Sequence, residues 1–226
     1  MSNTLPISFL GLDGDDCAYD RARYAVFPVS YDGTVSYRTG TREGPVGIIL
    51  ASRQVELFDT ELGREIYHPG IATLDPFEPD ARSAEATMES IFRTARKVVR
   101  DGKFLLSLGG EHSISSALIR AVKTRVKKFS VLHIDAHLDM RDTWQKSKFS
   151  HACVIRRVHE MGLPTVSMGI RNVSQEEHRY LKRNPHTVVT AEQVYRDRDT
   201  ALGQAIDALS GDVYVTIDMD LSLIHI

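Results

Sequence analysis

The 226-residue chain is 42% hydrophobic and 26% charged, with a formal net charge of −2. This is ordinary globular composition, long enough to bury a core as a single domain, and it excludes collagen, a disordered tail and a disulfide-stapled miniprotein. No broad basic field is present for nucleic acid or an anionic membrane, no apolar run approaches a membrane span, and residues 1–6 lack the basic and apolar regions of a signal peptide.

In chain order, short apolar runs at 24–30, 104–108, 129–135, 165–168, 187–190 and 213–217 predict strands. Segments of helical composition lie at 45–58, 81–101, 113–126, 152–161, 174–182 and 191–209. Buried strands alternating with helices predict an α/β fold with a mostly parallel sheet covered on both faces. In such sheets ligands bind beyond the carboxyl ends of the strands, so the residues at those ends carry the functional reading. Cys17 and Cys153 form no CxxC pair, and a reducing, cytoplasmic setting is expected. Cys153 reads as a small buried residue, because no base motif adjoins it.

Three strand ends stand out. The run 104–108 leads into Gly109-Gly110-Glu111-His112-Ser113, where the glycines permit a sharp turn and Ser113 is placed to cap the next helix. The run 129–134 ends in Asp135-Ala136-His137-Leu138-Asp139. Residues at i, i+2 and i+4 of an extended chain point to one side, so these three ligand-type side chains are expected to converge. Uncompensated, they would repel one another and lose hydration, and a divalent cation resolves both costs. The run 213–217 ends in Asp218-Met219-Asp220, a second acidic pair at i, i+2.

His112, Asp135, His137, Asp139, Asp218 and Asp220 together supply four carboxylates and two imidazoles. Oxygen-rich ligation with some nitrogen suits manganese, and less clearly magnesium, iron or zinc. Two ions bridged by shared carboxylates balance the formal charge, and such a pair, about 4 Å apart, generates a hydroxide nucleophile. The expected reaction class is metal-assisted hydrolysis. His151, at the entry to the segment 152–161, is suited to moving protons there. His133 lies inside a strand and is expected to pack or support a ligand. His68, His159, His178 and His186 are expected at the surface.

The ordered motifs Gly109-Gly-Glu-His112-Ser, Asp135-Ala-His-Leu-Asp139, Ser150-His-Ala-Cys153 and Thr216-Ile-Asp-Met-Asp220 resemble those of the ureohydrolases, the arginase and agmatinase enzymes. Residues 31–45 are similar to agmatinases in particular. The resemblance implies a three-layer α/β/α arginase-like fold around a mostly parallel central sheet, with two Mn2+ ions. It implies that His112, Asp135, Asp139 and Asp218 hold one ion. Asp135, His137, Asp218 and Asp220 would hold the other, so that Asp135 and Asp218 bridge. Asp135 thereby joins His151, the match to the family's proton-shuttle histidine, as a catalytic residue. The bridging hydroxide would attack a guanidinium carbon and urea would leave. The loop between Asp139 and His151 lacks the Asn and Ser arrangement with which arginases bind an amino-acid carboxylate. Small cationic agmatine, giving putrescine in polyamine biosynthesis, is therefore the expected substrate, and a homo-oligomer the expected assembly. Lys146 and Lys148 read as solvated loop lysines, and Trp144 either walls an alkyl chain or packs.

Departures from the family pattern leave alternatives open. After Asp220 the family continues with a further Asp-Pro and later a guanidinium-binding glutamate, whereas this sequence reads Leu-Ser-Leu-Ile-His-Ile. Residues 1–220 are thus expected to be a single, incomplete ureohydrolase domain, missing C-terminal elements and exposing an apolar face or strand edge. Residues 221–226 match one reading frame of a transposon-type sequencing adapter and are expected to be a non-native tail, so His225 is not counted as a ligand. Guanidinobutyrase, arginase and formimidoylglutamase remain alternatives, as does an inactive truncated homologue. Metal-dependent deacetylases share the general fold but use one metal, against which Asp139 and the Asp218/Asp220 pair argue.

Overall fold

A computed structural model of the chain describes residues 7–221, which divide into two compact units, up to Ile114 and from Ser115. The expectations for residues 1–6 and 222–226, His225 included, lie outside the described residues.

The first unit contains α1 (Gly14–Cys17), β1 (Tyr24–Val29), α2 (Gly44–Ser52), β2 (Phe58–Asp59), β3 (Arg64–Glu65), β4 (Ile71–Thr73), α3 (Ala84–Arg100) and β5 (Phe104–Gly109). Its main sheet has the order β4-β1-β5 and is wholly parallel. β1 is buried on both faces, as its near-continuous apolar sequence requires. Pro28 is tolerated in this central strand because β4 pairs only as far as Val26, so the missing N–H falls beyond that ladder. α3 starts where the Ser83 hydroxyl accepts from the Ala86 amide, and it buries Met88, Ile91, Ala95 and Val98.

α4 (Ile114–Lys123) begins at the junction. The second unit continues with β6 (Phe129–Ile134), a short 3-10 helix (His151–Cys153) and α5 (Val154–Glu160). Then come β7 (Thr165–Ile170), α6 (Gln175–Arg183), β8 (Thr187–Thr190), α7 (Ala191–Arg196), α8 (Arg198–Asp207) and β9 (Asp212–Ile217). Its four-stranded sheet has the order β8-β7-β6-β9, again wholly parallel. Ile119, Phe129, Val131, Val158 and Leu163 form one core cluster, and Leu138, Met140, Val154, Ile155 and Ile170 another.

All six expected strands are present within one or two residues, and both main sheets are parallel. Three local departures have physical causes. The segment expected as one helix over 191–209 breaks at Asp197, whose carboxylate accepts from the Thr200 amide and caps a new helix. The helix expected to reach residue 58 stops at Ser52, whose hydroxyl donates to Ile49 O and accepts from the Leu10 amide. β4 and the β2–β3 pair are too short to give a periodic signal.

Two strands leave apolar surface uncovered. On β5, Phe104 and Leu106 are exposed. On β9, Val213, Val215 and Ile217 alternate onto one open face at 41, 50 and 55% exposure.

Candidate metal centre

The second unit's sheet register builds the site. Ile134 of β6 pairs with Ile217 of β9, so the next residues, Asp135 and Asp218, emerge side by side at the carboxyl edge. The Asp218 amide donates to Ile134 O at 2.9 Å and keeps that register past the strand end. β7 comes close on the other side through a bulge at Gly169 (φ +90°), where a Cβ would stand 3.0 Å from Asp135 O.

Asp135 is fully buried. Its Oδ1 accepts from the His137 amide at 2.7 Å and its Oδ2 lies 2.9 Å from His133 Nε2. His137 Nδ1 stands 2.9 Å from Asp220 Oδ2 and 3.6 Å from Asp135 Oδ1. The nearby carboxylates of Asp135 and then Asp220 push the His137 imidazole up to about 10 in the absence of a cation. Asp220 Oδ1 is buried with no hydrogen-bond partner among the described residues, and Asp218 Oδ1 accepts from the Asp220 amide.

The expected convergence of Asp135, His137 and Asp139 on one side takes a different form. Two overlapping groups share Asp135: Asp135 with His137 and Asp220, and Asp135 with His133 and Asp139, each with donor atoms within 4.8 Å of one another. Asp139 joins the second group because its backbone turns left-handed (φ +51°), a conformation that costs a non-glycine residue on the order of 1–3 kcal/mol and recurs at functional sites. The turn is held from two sides. Asp139 O accepts from the Ile155 and Arg156 amides at the start of α5, and the next amide, Met140 N, donates to buried Glu177 of α6 at 2.9 Å.

His112 lies buried at the carboxyl end of β5 in the first unit. Beside it, the Glu111 carboxylate accepts from the Thr34 amide at 2.7 Å and from the Thr34 and Ser113 hydroxyls, tying the loop after β1 to this strand end. Gly110 is required there, since a Cβ would overlap Tyr31 O. His151 opens the short helix after the 139–150 loop, with its Nδ1 3.3 Å from Ser150 Oγ. Lys146 and Lys148 are exposed, and the Arg141 guanidinium lies 4.5 Å over the Trp144 ring.

His133 supports Asp135 from within the core, as its strand position suggested, whereas His186 departs from expectation. It is largely buried, its Nε2 3.1 Å from Ser167 Oγ, and His159 is partly buried against Tyr180. Neither contact has a local sequence signal, because the partners come from different strands and helices. Glu177 was readable: Ser174-Gln-Glu-Glu177 has the spacing of a capping box, and both its bonds form.

The donor set fits divalent cations. It is oxygen-rich with imidazole, and it includes a buried carboxylate oxygen with no hydrogen-bond partner among the described residues.

The arginase family model matches residues 22–222. The chain belongs to the arginase family. It is similar to an N(1)-aminopropylagmatine ureohydrolase of Thermus thermophilus, 37% identical over 205 residues that cover 91% of this chain and 70% of that protein. An agmatinase of Pyrococcus horikoshii is 31% identical over 88% of this chain and 69% of its own length. Among solved structures, the agmatine ureohydrolase of Thermoplasma volcanium superposes with a TM-score of 0.82 at 29% identity, covering 97% of this chain and 72% of that one. Within the arginase family this chain is a ureohydrolase of the agmatinase type, a hydrolase of guanidino C–N bonds with an arginase-like α/β fold. Among the described residues no helix is long and apolar enough to cross a membrane.

Proposed function

We propose that this arginase-family chain is a binuclear manganese ureohydrolase that releases urea from agmatine or a close cationic derivative. The observation that carries this reading is the Asp135–His137–Asp220 group, with donor atoms within 4.8 Å of one another and a buried Asp220 oxygen that has no hydrogen-bond partner among the described residues. His112, Asp135, Asp139 and Asp218 would hold one ion, and Asp135, His137, Asp218 and Asp220 the other. When bound, the two cations supply charge neutralisation and an activated water for attack on the guanidinium carbon.

The chain's own residues supply the rest. Asp135 is held by the His137 amide and the His133 ring, so its two oxygens keep fixed directions. His151, positioned at a helix start after the loop, delivers a proton to the departing amine. The loop between Asp139 and His151 offers exposed Lys146 and Lys148, while its Asp142 is engaged by Arg157 at 2.9 Å. The substrate tail is cationic in this reading, because the loop lacks the arrangement that would hold an α-carboxylate.

A second substrate has a specific argument: the Thermus relative is named for N(1)-aminopropylagmatine and is more similar than the Pyrococcus agmatinase. The test is manganese stoichiometry by calorimetry, followed by urea release from agmatine, N(1)-aminopropylagmatine and arginine. Two Mn2+ per chain and urea from either agmatine compound, with none from arginine, is the expected result. A chain that takes up no Mn2+ overturns the metal assignment, and urea from arginine alone overturns the substrate assignment.

A further inference from the structure

A row of three polar side chains crosses the second unit's sheet behind Asp135. His133 of β6 and Ser167 of β7 are register partners, so their side chains share a face. Ser167 pairs in turn with Val188 of β8, and His186 stands two residues before Val188. The contacts are continuous: Asp135 Oδ2 to His133 Nε2 at 2.9 Å, His133 Nδ1 to Ser167 Oγ at 3.0 Å, and Ser167 Oγ to His186 Nε2 at 3.1 Å. His133, Ser167 and Asp135 are completely buried.

The chemistry of the ends fixes the direction of every bond in the row. A carboxylate only accepts, so His133 Nε2 carries the proton shared with Asp135. In a neutral ring His133 Nδ1 is then an acceptor, and the Ser167 hydroxyl donates to it. With its proton committed, Ser167 Oγ accepts from His186 Nε2–H. That leaves His186 Nδ1 as a bare lone pair, and Nδ1 is buried without a partner among the described residues. Were Ser167 instead to accept from His133, it would donate to His186 Nε2, and the His186 proton would move to Nδ1, where no acceptor stands. An orphaned buried N–H is the rarer and costlier defect.

We propose that Ser167 and His186 are positioning residues that set the ring tautomer of His133, committing its Nε2–H to Asp135 and so fixing the carboxylate on which the metal centre turns. The importance for metal binding rests on the binuclear reading above; the bond directions do not. Burial, with His159 and His133 nearby, pushes the His186 imidazole down to about 4, in keeping with a neutral ring that donates from Nε2. A ligating carboxylate held in this way has less orientational freedom to lose on binding an ion.

Two measurements test the proposal. Long-range 1H–15N imidazole spectra of the full chain without metal, at pH 7, are expected to show the Nε2–H tautomer for both His133 and His186. Calorimetric Mn2+ titration is expected to show affinity about tenfold lower in Ser167→Ala, the size typical of lost support to a ligand, and a smaller loss in His186→Phe. His186→Gln, whose amide N–H2 reaches the same place, is expected to restore it. An Nδ1–H tautomer at His186 overturns the proposal, as does Mn2+ affinity within about twofold of wild type in both folded loss variants. If Ser167→Ala does not fold, the wild-type tautomers and the contrast between His186→Phe and His186→Gln decide. If the wild-type chain takes up no Mn2+, the binuclear reading falls and the role in metal binding with it, while the metal-free spectra still decide the bond directions.

Discussion

Asp135 stands at the point where every part of the candidate centre meets, since both ligand groups share it and both of its oxygens are already hydrogen-bonded. Asp135→Ala is therefore expected to abolish Mn2+ uptake and urea release together, measured by metal analysis of the purified chain and a urea assay. His151→Ala is expected to keep its manganese and lose about 10²–10⁴-fold in turnover, the usual range for a proton-transfer group; loss of metal in that variant would make His151 a ligand instead. The thiols give a separate check on burial. Cys153 is fully buried, and desolvation first of all pushes its thiol up to about 11, whereas Cys17 is partly exposed. At pH 8 in native buffer iodoacetamide is expected to modify Cys17 alone, with Cys153 reacting only in denaturant, as mass spectrometry would read. At this scale strand-end spacing picked out the candidate donors, while their division into two groups that share Asp135 followed from the family resemblance and not from the spacing. Asp135 and His137 were legible because the spacing is local. The left-handed turn at Asp139 and the Ser167–His186 contact were not, because each is imposed by elements distant in the chain.

Elements were legible where periodicity had length to show itself. The six strands that build the two parallel sheets and the six helical segments all appear, and the misses are the four-residue α1, a three-residue strand, a pair of two-residue strands, the early stop at Ser52 and a break at one capping aspartate. α6 shows how an element's end reaches the site. Glu177 closes the capping box at Ser174 with one oxygen and holds the Met140 amide, next to Asp139, with the other. Glu177→Ala removes a cap and leaves a buried amide unpaired, an expected loss of about 2 kcal/mol in urea unfolding. Glu177→Gln keeps one acceptor and is expected to lose less. At the start of β8, His186 makes stability depend on pH. Its folded value, about 4, lies below the ordinary histidine value, so between roughly pH 6.5 and 4 the unfolded chain takes a proton that the folded chain refuses. Its contribution is present above that window and is lost as pH falls through it, by an amount on the order of 3 kcal/mol. Denaturation at pH 7 and 4.5 is expected to show a steeper acid loss in wild type than in His186→Gln, and equal slopes would place the His186 ring in water.

At the scale of the whole molecule, uncovered apolar surface decides behaviour in solution. Among the described residues β9 pairs with β6 on one side only, and Val213, Val215 and Ile217 present a continuous apolar row beside exposed Met219. β5 likewise ends its sheet, with Phe104 and Leu106 exposed. An edge strand with an apolar face is a template for pairing with another chain, and no lysine or proline interrupts β9 to blunt it. The net charge of −2 gives little repulsion between copies. The chain is therefore expected to self-associate with rising concentration, seen as a growing sedimentation coefficient. Val215→Lys puts a charge at the middle of the row, where the side chain is half exposed and the backbone ladder to β6 stays intact. It is expected to lower association while changing unfolding free energy by less than about 0.5 kcal/mol, the usual range for surface substitutions. Because Val215 lies inside β9, on its open face and three residues before Asp218, Mn2+ affinity is expected to be unchanged in the same variant. Association that persists in Val215→Lys would move the contact to β5, and the matching test is Leu106→Lys.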